Sequence, residues 1–172
     1  MTLISADYTR LNSELHQRNA AYGTSGSLYA EDILSLYSAL GALSILDYGA
    51  GKGTLKKSLP EEIDVREYDP AIENIALRPG AADLVTCTDV LEHIEPEYLA
   101  EVLEDINSLA VKGVFLSIAC RPAKKFLDDG RNAHLIVEKP MWWMSKLSAC
   151  FSNATAGGIR FGDKSLIAWV RK

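Results

Sequence analysis

Leu46-Asp47-Tyr48-Gly49-Ala50-Gly51-Lys52-Gly53 follows an apolar run, Ser44-Ile45-Leu46, and opens into a glycine-rich turn. The apolar run reads as the buried end of a strand. Glycines at 49, 51 and 53 allow positive φ and close approach of backbone to a ligand. The next segment, 54–59, reads as a short helix stopped by Pro60. Strand, glycine turn and helix form the opening unit of a doubly wound α/β sheet, whose site lies at the strand carboxyl ends. Asp69 stands 20 residues past Gly49, in Glu67-Tyr68-Asp69-Pro70. A second strand over 63–68 would place its carboxylate on a ribose diol.

The glycine spacing separates two kinds of cofactor. A dinucleotide turn has three residues from its second to its third glycine, which admits a pyrophosphate at a helix N-terminus. Here Gly51 and Gly53 are two apart, and Asp47 precedes the first glycine. A carboxylate repels a pyrophosphate and attracts the ammonium and sulfonium of S-adenosylmethionine. The turn therefore suits a cationic amino-acid nucleoside, held by Asp47, Gly49, Ala50, Gly51, Gly53, Tyr68 and Asp69.

Length and composition bound the rest. A chain of 172 residues suits one domain, 1–172, burying about 70% of its unfolded surface. Apolar content of 48% and charged content of 24% are ordinary for a globular protein. No run of 18 apolar residues occurs, and Asp7, Arg10 and Glu14 interrupt the N-terminus, so neither a membrane span nor a signal peptide is expected. Cys87, Cys120 and Cys150 are scattered and odd in number, which suits reduced thiols and a cytoplasmic location. A net charge of −5 disfavours nonspecific nucleic-acid binding.

Periodicity assigns the remaining elements. Residues 1–26 read as a short helix and a loop. Leu28, Ile33, Leu34, Tyr37 and Leu40 predict a helix over 27–40, with Gly41 past its end. Strands are predicted over 43–48, 63–68, 84–87 and 113–119. The strongest helical stripe is Leu99, Val102, Leu103, Ile106 and Leu109, over 96–109. A polar loop over 120–134, a helix over 141–151 and an antiparallel hairpin of 155–161 and 165–170, joined through Gly162-Asp163-Lys164, complete the chain. The expected fold is a mostly parallel, doubly wound Rossmann-like sheet with a C-terminal antiparallel hairpin.

Asp47 to Gly53, Asp69 and the run Asp83-Leu84-Val85-Thr86-Cys87-Thr88-Asp89-Val90-Leu91-Glu92-His93-Ile94 together resemble the class I S-adenosylmethionine-dependent methyltransferases, over nearly the whole chain. The resemblance implies that Cys87, Thr88, Asp89 and Val90 also contact the cofactor, with the adenine against Cys87, Thr88 and Val90. It implies that the leader, 1–26, folds over the cofactor cleft, with Tyr22 as its candidate contact. Such enzymes usually place a helix, a strand and an adenine-binding acid where this chain has only thirteen residues, between Asp69 and Asp83. The third-strand region is shortened, and Ile75-Ala76-Leu77 is its candidate remnant, cut off by Pro79 and Gly80.

Methyl transfer from a sulfonium is an in-line displacement. The protein orients the acceptor and, for a hydroxyl, handles its proton. Asp89, Glu92 and His93 stand at i, i+3 and i+4, one face of any helix begun there, and His134 borders the cleft from the 120–134 loop. Two acids and two imidazoles suit a divalent cation such as Mn, Mg, Fe or Co. The pattern resembles the metal site of small-RNA 2′-O-methyltransferases and ubiquinone-pathway O-methyltransferases, which implies Asp89, Glu92, His93 and His134 as ligands. Asp89 is one methylene shorter than the glutamate usual there, so a cofactor contact is its alternative role. Leu-Glu-His also occurs in methyltransferases without metal. There His93 or His134 would be a general base and Glu92 would shape the site, and purely structural roles are a further alternative.

Arg121, Lys124, Lys125, Arg131 and Lys52 form a basic run that is either a solvated loop or a grip on an anionic acceptor. Trp142 could stack on an acceptor ring, and Trp143 could fill the core. The expected activity is O-methylation of a hydroxyl on a polar or anionic small molecule or sugar. Alternatives are 2′-O-methylation of an RNA end and a noncatalytic cofactor-binding subunit of a larger modification complex.

Overall fold

Ile45 and Leu46, Leu84 and Val85, and Val114 and Phe115 are consecutive pairs with both side chains buried. Strands that bury successive residues must lie between two covering layers. The computed structural model describes residues 3–152, 155–162 and 165–172. It contains a six-stranded sheet in the order β2-β1-β3-β4-β6-β5. Strands β1 (Ser44–Tyr48), β2 (Asp64–Tyr68), β3 (Ala82–Thr88) and β4 (Ala110–Ala119) are mutually parallel. β5 (Thr155–Gly162) and β6 (Ser165–Arg171) form the antiparallel hairpin, with β6 paired to β4. Residues 163–164 of the expected turn lie outside the described residues.

One sheet face packs on α4 (Leu99–Leu109) and α5 (Pro140–Cys150), the other on α2 (Ala30–Ala39) and the short α3 (Thr54–Ser58). All five residues of the predicted α4 stripe are buried, after a 3₁₀ first turn at Pro96–Tyr98. The predicted helix over 27–40 starts later. Ser25–Tyr29 is 3₁₀ and α2 begins at Ala30. A 3₁₀ turn rotates about 120° per residue rather than about 100°, so Leu28 leaves the stripe and is 76% exposed.

The segment between β2 and β3 holds no strand. Glu73–Ile75 is a 3₁₀ turn, which removes Ile75-Ala76-Leu77 as a remnant strand and leaves β2 at the sheet edge. Arg78 ties this segment to α4, donating from Nε and Nη2 to Oδ1 of the buried Asp105 at 2.9 and 2.5 Å. Oδ2 of Asp105 accepts from the Tyr48 hydroxyl at 3.0 Å. The missing strand is thus replaced by a polar strut that also holds Tyr48.

The N-terminal helix α1 (Ala6–Arg18) is capped by Ser5 Oγ, which accepts from Tyr8 N–H at 3.1 Å. Ser5 also donates from N and Oγ to the Glu95 carboxylate at 2.8 and 2.7 Å. Tyr8, Leu11, Leu15 and Tyr22 form a separate small core with Leu127 and Ala133. The leader and the 120–134 loop are therefore one packed unit at the carboxyl ends of the strands.

Asp105→Ala removes the partner of both Tyr48 and Arg78. Urea unfolding should show stability lower by about 1–3 kcal/mol with an unchanged slope. A loss below about 0.5 kcal/mol would make the strut incidental.

Candidate active site

The chain leaves β1 for β2 on one side and returns to β3 on the other, so the sheet parts at the carboxyl ends of β1 and β3. There the amides of Gly49 and Ala50 both donate to the Tyr68 carbonyl, at 2.7 and 3.0 Å, docking the glycine turn on the end of β2. Gly49, Gly51 and Gly53 have φ of +80°, +55° and +64°. A Cβ on Gly49 would collide with Val90. Asp69 accepts from Gly51 N–H at 3.1 Å on Oδ2 and from Ala71 N–H at 3.0 Å on Oδ1.

These groups bound a cavity of about 330 Å³. Asp47, Gly49, Ala50, Gly51, Asp69, Thr88, Asp89 and Val90 line it. Gly53, Tyr68 and Cys87 do not. Gly53 caps α3, and Tyr68 packs edge-on against Tyr48 while its carbonyl receives the turn. Cys87 points into the core beneath α4, which removes it as an adenine contact, whereas its neighbours Thr88 and Val90 line the cavity.

Asp47 is 2% exposed at the floor of the cavity. Burial raises its pKa to about 7, against a smaller opposing effect of the Thr86 hydroxyl, which donates to Oδ1 at 3.2 Å. No salt bridge to it occurs among the described residues. A positively charged ligand group would supply the missing partner.

A second cluster stands beside the first. Leu91–His93 forms a 3₁₀ turn, and Asp89 before it takes φ +57°. The α-helical face expected for Asp89, Glu92 and His93 therefore does not form. One ligand atom from each of Glu92, His93 and His134 lies within 4.8 Å of the others, and Asp89 is outside this set. Asp89 instead accepts from Ser25 Oγ at 2.8 Å. Glu92 is wholly buried. Its Oε1 accepts from Ala119 N–H at 2.7 Å, while Oε2 has no partner. Burial first, then Asp89, pushes its pKa well up.

His134 Nδ1 lies 2.6 Å from the Arg121 carbonyl. A carbonyl only accepts, so Nδ1 carries the proton and the Nε2 lone pair is free. His93 Nδ1 meets the Tyr22 hydroxyl at 3.2 Å, and its ring packs edge-on against His134. Burial, then His134, lowers the His93 pKa to about 3, and burial also lowers that of His134. Both rings are neutral at neutral pH, the form that binds metal.

Arg121, Lys124 and Lys125 line the cavity, and the Lys125 ammonium donates to Ala21 O at 2.7 Å. Arg131 is bound to Asp129, and the Lys52 ammonium donates to His16 O. Trp143 is fully buried. Trp142 lines a separate apolar hollow between α4 and α5, away from this cavity, which removes it as a stacking surface for the acceptor. The sequence reading missed Asn12, His16 and Ser25 as cavity residues. Asn12 and His16 are four apart on the buried face of α1, a polar pair within an apolar stripe.

No protein-family model and no curated protein matches the sequence. Solved structures do match the fold. The magnesium protoporphyrin IX methyltransferase from Synechocystis PCC 6803 with bound S-adenosylhomocysteine is 17% identical over 96% of each chain, with a TM-score of 0.64. The 1,6-didemethyltoxoflavin N1-methyltransferase of Burkholderia thailandensis, bound to 1,6-didemethyltoxoflavin and S-adenosylhomocysteine, is 20% identical over 97% of this chain and 88% of its own, with a TM-score of 0.65. The small RNA methyltransferase HEN1 is 17% identical over 84% of this chain and 25% of its own, with a TM-score of 0.59. The fold is that of the class I methyltransferases.

Because the Asp47 pKa is raised in the folded state, that state holds a proton the unfolded chain lacks between about pH 4 and about pH 7. Stability from this group declines as pH rises through that window. A cation favours the ionised form, so its binding expels the proton. Affinity for S-adenosylmethionine should climb from about pH 6 to about pH 8 in the wild type and flatten in Asp47→Asn. Calorimetry in two buffers of different ionisation enthalpy reads the released proton.

Proposed function

We propose that the chain is an S-adenosylmethionine-dependent methyltransferase acting on a hydroxyl oxygen of a small polar or anionic acceptor. The observation that carries this is the pairing of a buried, unpaired acid, Asp47, with a positive-φ glycine turn and Asp69 around one cavity. That set supplies an anion for the ammonium and sulfonium, close backbone for the nucleoside and a carboxylate for the ribose. Fold neighbours with S-adenosylmethionine or S-adenosylhomocysteine bound support the reading. Residues 3–26 form the lid in this proposal, since Tyr8, Asn12, His16 and Tyr22 line the cavity. No helix among the described residues is long and apolar enough to cross a membrane, and all three cysteines are free.

The cofactor, when bound, supplies an activated methyl group. The chain's residues orient the acceptor oxygen and manage its proton. Burial disfavours the protonated form of His93, which weakens it as a base for a hydroxyl. The orphaned Oε2 of Glu92 beside two neutral imidazoles fits a divalent cation, with Glu92, His93 and His134 as ligands. Such an ion would supply Lewis-acid lowering of the acceptor's pKa. Two nitrogens in the set favour Mn, Fe or Co over Mg. His134 would have its ring fixed by the Arg121 carbonyl, as metal-binding histidines commonly are. Without a metal, the free Nε2 of His134 is the remaining base. Arg121 and Lys124 would meet a negative group on the acceptor.

RNA-end 2′-O-methylation is the second reading, favoured by the HEN1 fold match and the Glu92, His93 and His134 cluster. The net charge of −5 weighs against it. Binding to single-stranded RNA with a steep salt dependence would favour it.

Purified protein given methyl-labelled cofactor, Mn and a cell extract should label a small molecule without any partner protein. Chelator should stop turnover and Mn or Co should restore it. His134→Ala should abolish metal-dependent turnover while leaving cofactor affinity unchanged. Full activity in chelator excludes the metal.

For an anionic acceptor, Arg121→Ala with Lys124→Ala should raise KM about three- to tenfold, with the larger effect at low ionic strength. An unchanged KM makes these cations solvent groups.

A further inference from the structure

His16 is 7% exposed on the cavity face of α1, where it lines the proposed lid but has been given no chemical role. Its Nδ1 is sealed from solvent without any hydrogen-bond partner. Its Nε2 faces Asp69, 4.0 Å from Oδ2. A buried ring nitrogen without a partner is destabilising. A phenylalanine would fill the same space without that penalty, so packing does not account for a histidine here.

The ring is held from several sides. The carbonyl of His16 accepts from the Lys52 ammonium at 2.6 Å, and its ring centroid lies 4.6 Å from that of Tyr22. A Cβ on Gly23, whose φ is +71°, would stand 2.6 Å from Cε1 of His16 and 3.0 Å from the Gly51 Cα. The amide of Lys52 donates to the Gly23 carbonyl at 2.8 Å. Leader and cofactor turn thus meet through two glycines, and the contact leaves room for this imidazole.

Asp69 accepts only, so its carboxylate favours the tautomer with the ring proton on the facing Nε2, which leaves Nδ1 bare. Burial lowers the His16 pKa, which keeps the ring a neutral single donor. At 4.0 Å the two groups are too far apart for a direct bond. A hydroxyl oxygen about 2.8 Å from each would subtend an angle of about 90°, within the range of a bridging donor and acceptor. A ribose hydroxyl has this capacity, with its O–H to give and lone pairs to receive.

We propose that His16 donates its Nε2 proton to a ribose hydroxyl whose own proton goes to Asp69, making the leader helix part of the cofactor site. The proposal rests on the cofactor reading above. It couples closure of the leader to occupancy, because the nucleoside completes a bond that neither side makes alone.

Calorimetry with S-adenosylhomocysteine and its 2′-deoxy and 3′-deoxy analogues tests it in the wild type, His16→Ala and His16→Phe. Both variants should bind S-adenosylhomocysteine about tenfold more weakly. One deoxy analogue should erase that difference, because it lacks the bridged hydroxyl. Variants that bind as tightly as the wild type overturn the proposal. So does a loss of equal size against both analogues, which would place His16 elsewhere on the ligand. A wild type that binds none of the three overturns the cofactor reading and this proposal together.

Discussion

Two amides on one carbonyl fix everything around the cleft. Gly49 and Ala50 donate together to the Tyr68 carbonyl, so the end of β1 cannot move without the end of β2. That junction sets the distance from Asp47 on one strand to Asp69 past the other. It also turns the Gly51 amide onto Asp69, which orients the carboxylate from within the turn. A side chain at 49 would push Val90 away and reopen the link between the turn and the segment after β3. The apolar strands supply the folding energy, and this junction converts their register into a site.

The site is shared between the main fold and a satellite core. Tyr8, Leu11, Leu15 and Tyr22 pack on Leu127 and Ala133, away from the sheet cores. Apolar burial there is small, and several polar contacts add to it: Ser5 to Glu95, Lys125 to the Ala21 carbonyl, and Lys52 to the Gly23 and His16 carbonyls. A unit held this way opens at lower free energy than the sheet. The same unit brings Tyr22 to His93 and Ser25 to Asp89, so opening it would change the surroundings of both residues.

The sheet, the α4 stripe and the glycine turn were legible because each follows from local periodicity. Leu99, Val102, Leu103, Ile106 and Leu109 report their burial by spacing alone, and paired apolar residues mark the central strands. Three features were not legible for physical reasons. The 3₁₀ turn at Leu91–His93 broke the helical geometry assumed for Asp89, and the left-handed backbone at Asp89, which aspartate tolerates better than most residues, is only weakly signalled by residue type. Cys87 looked like a wall residue because it adjoins Thr88, yet alternation along β3 sends it to the α4 face. Asn12 and His16 look like surface positions of a polar leader until the cavity beside the glycine turn, distant in sequence, is known to face them.

The charge arrangement has a direction. At the cavity floor, Asp47 is buried without a cation, which favours a positively charged ligand there. Around the mouth, Arg121, Lys124 and Lys125 favour a negative one. Between them, His93 and His134 are neutral and carry no net preference. A cavity of one sign would attract a single ion. This one is lined by both signs, so the charges of a ligand would bias its orientation before it makes a specific bond. The two imidazoles lie beside the orphaned oxygen of Glu92, where a proton or a metal ion would have the most partners.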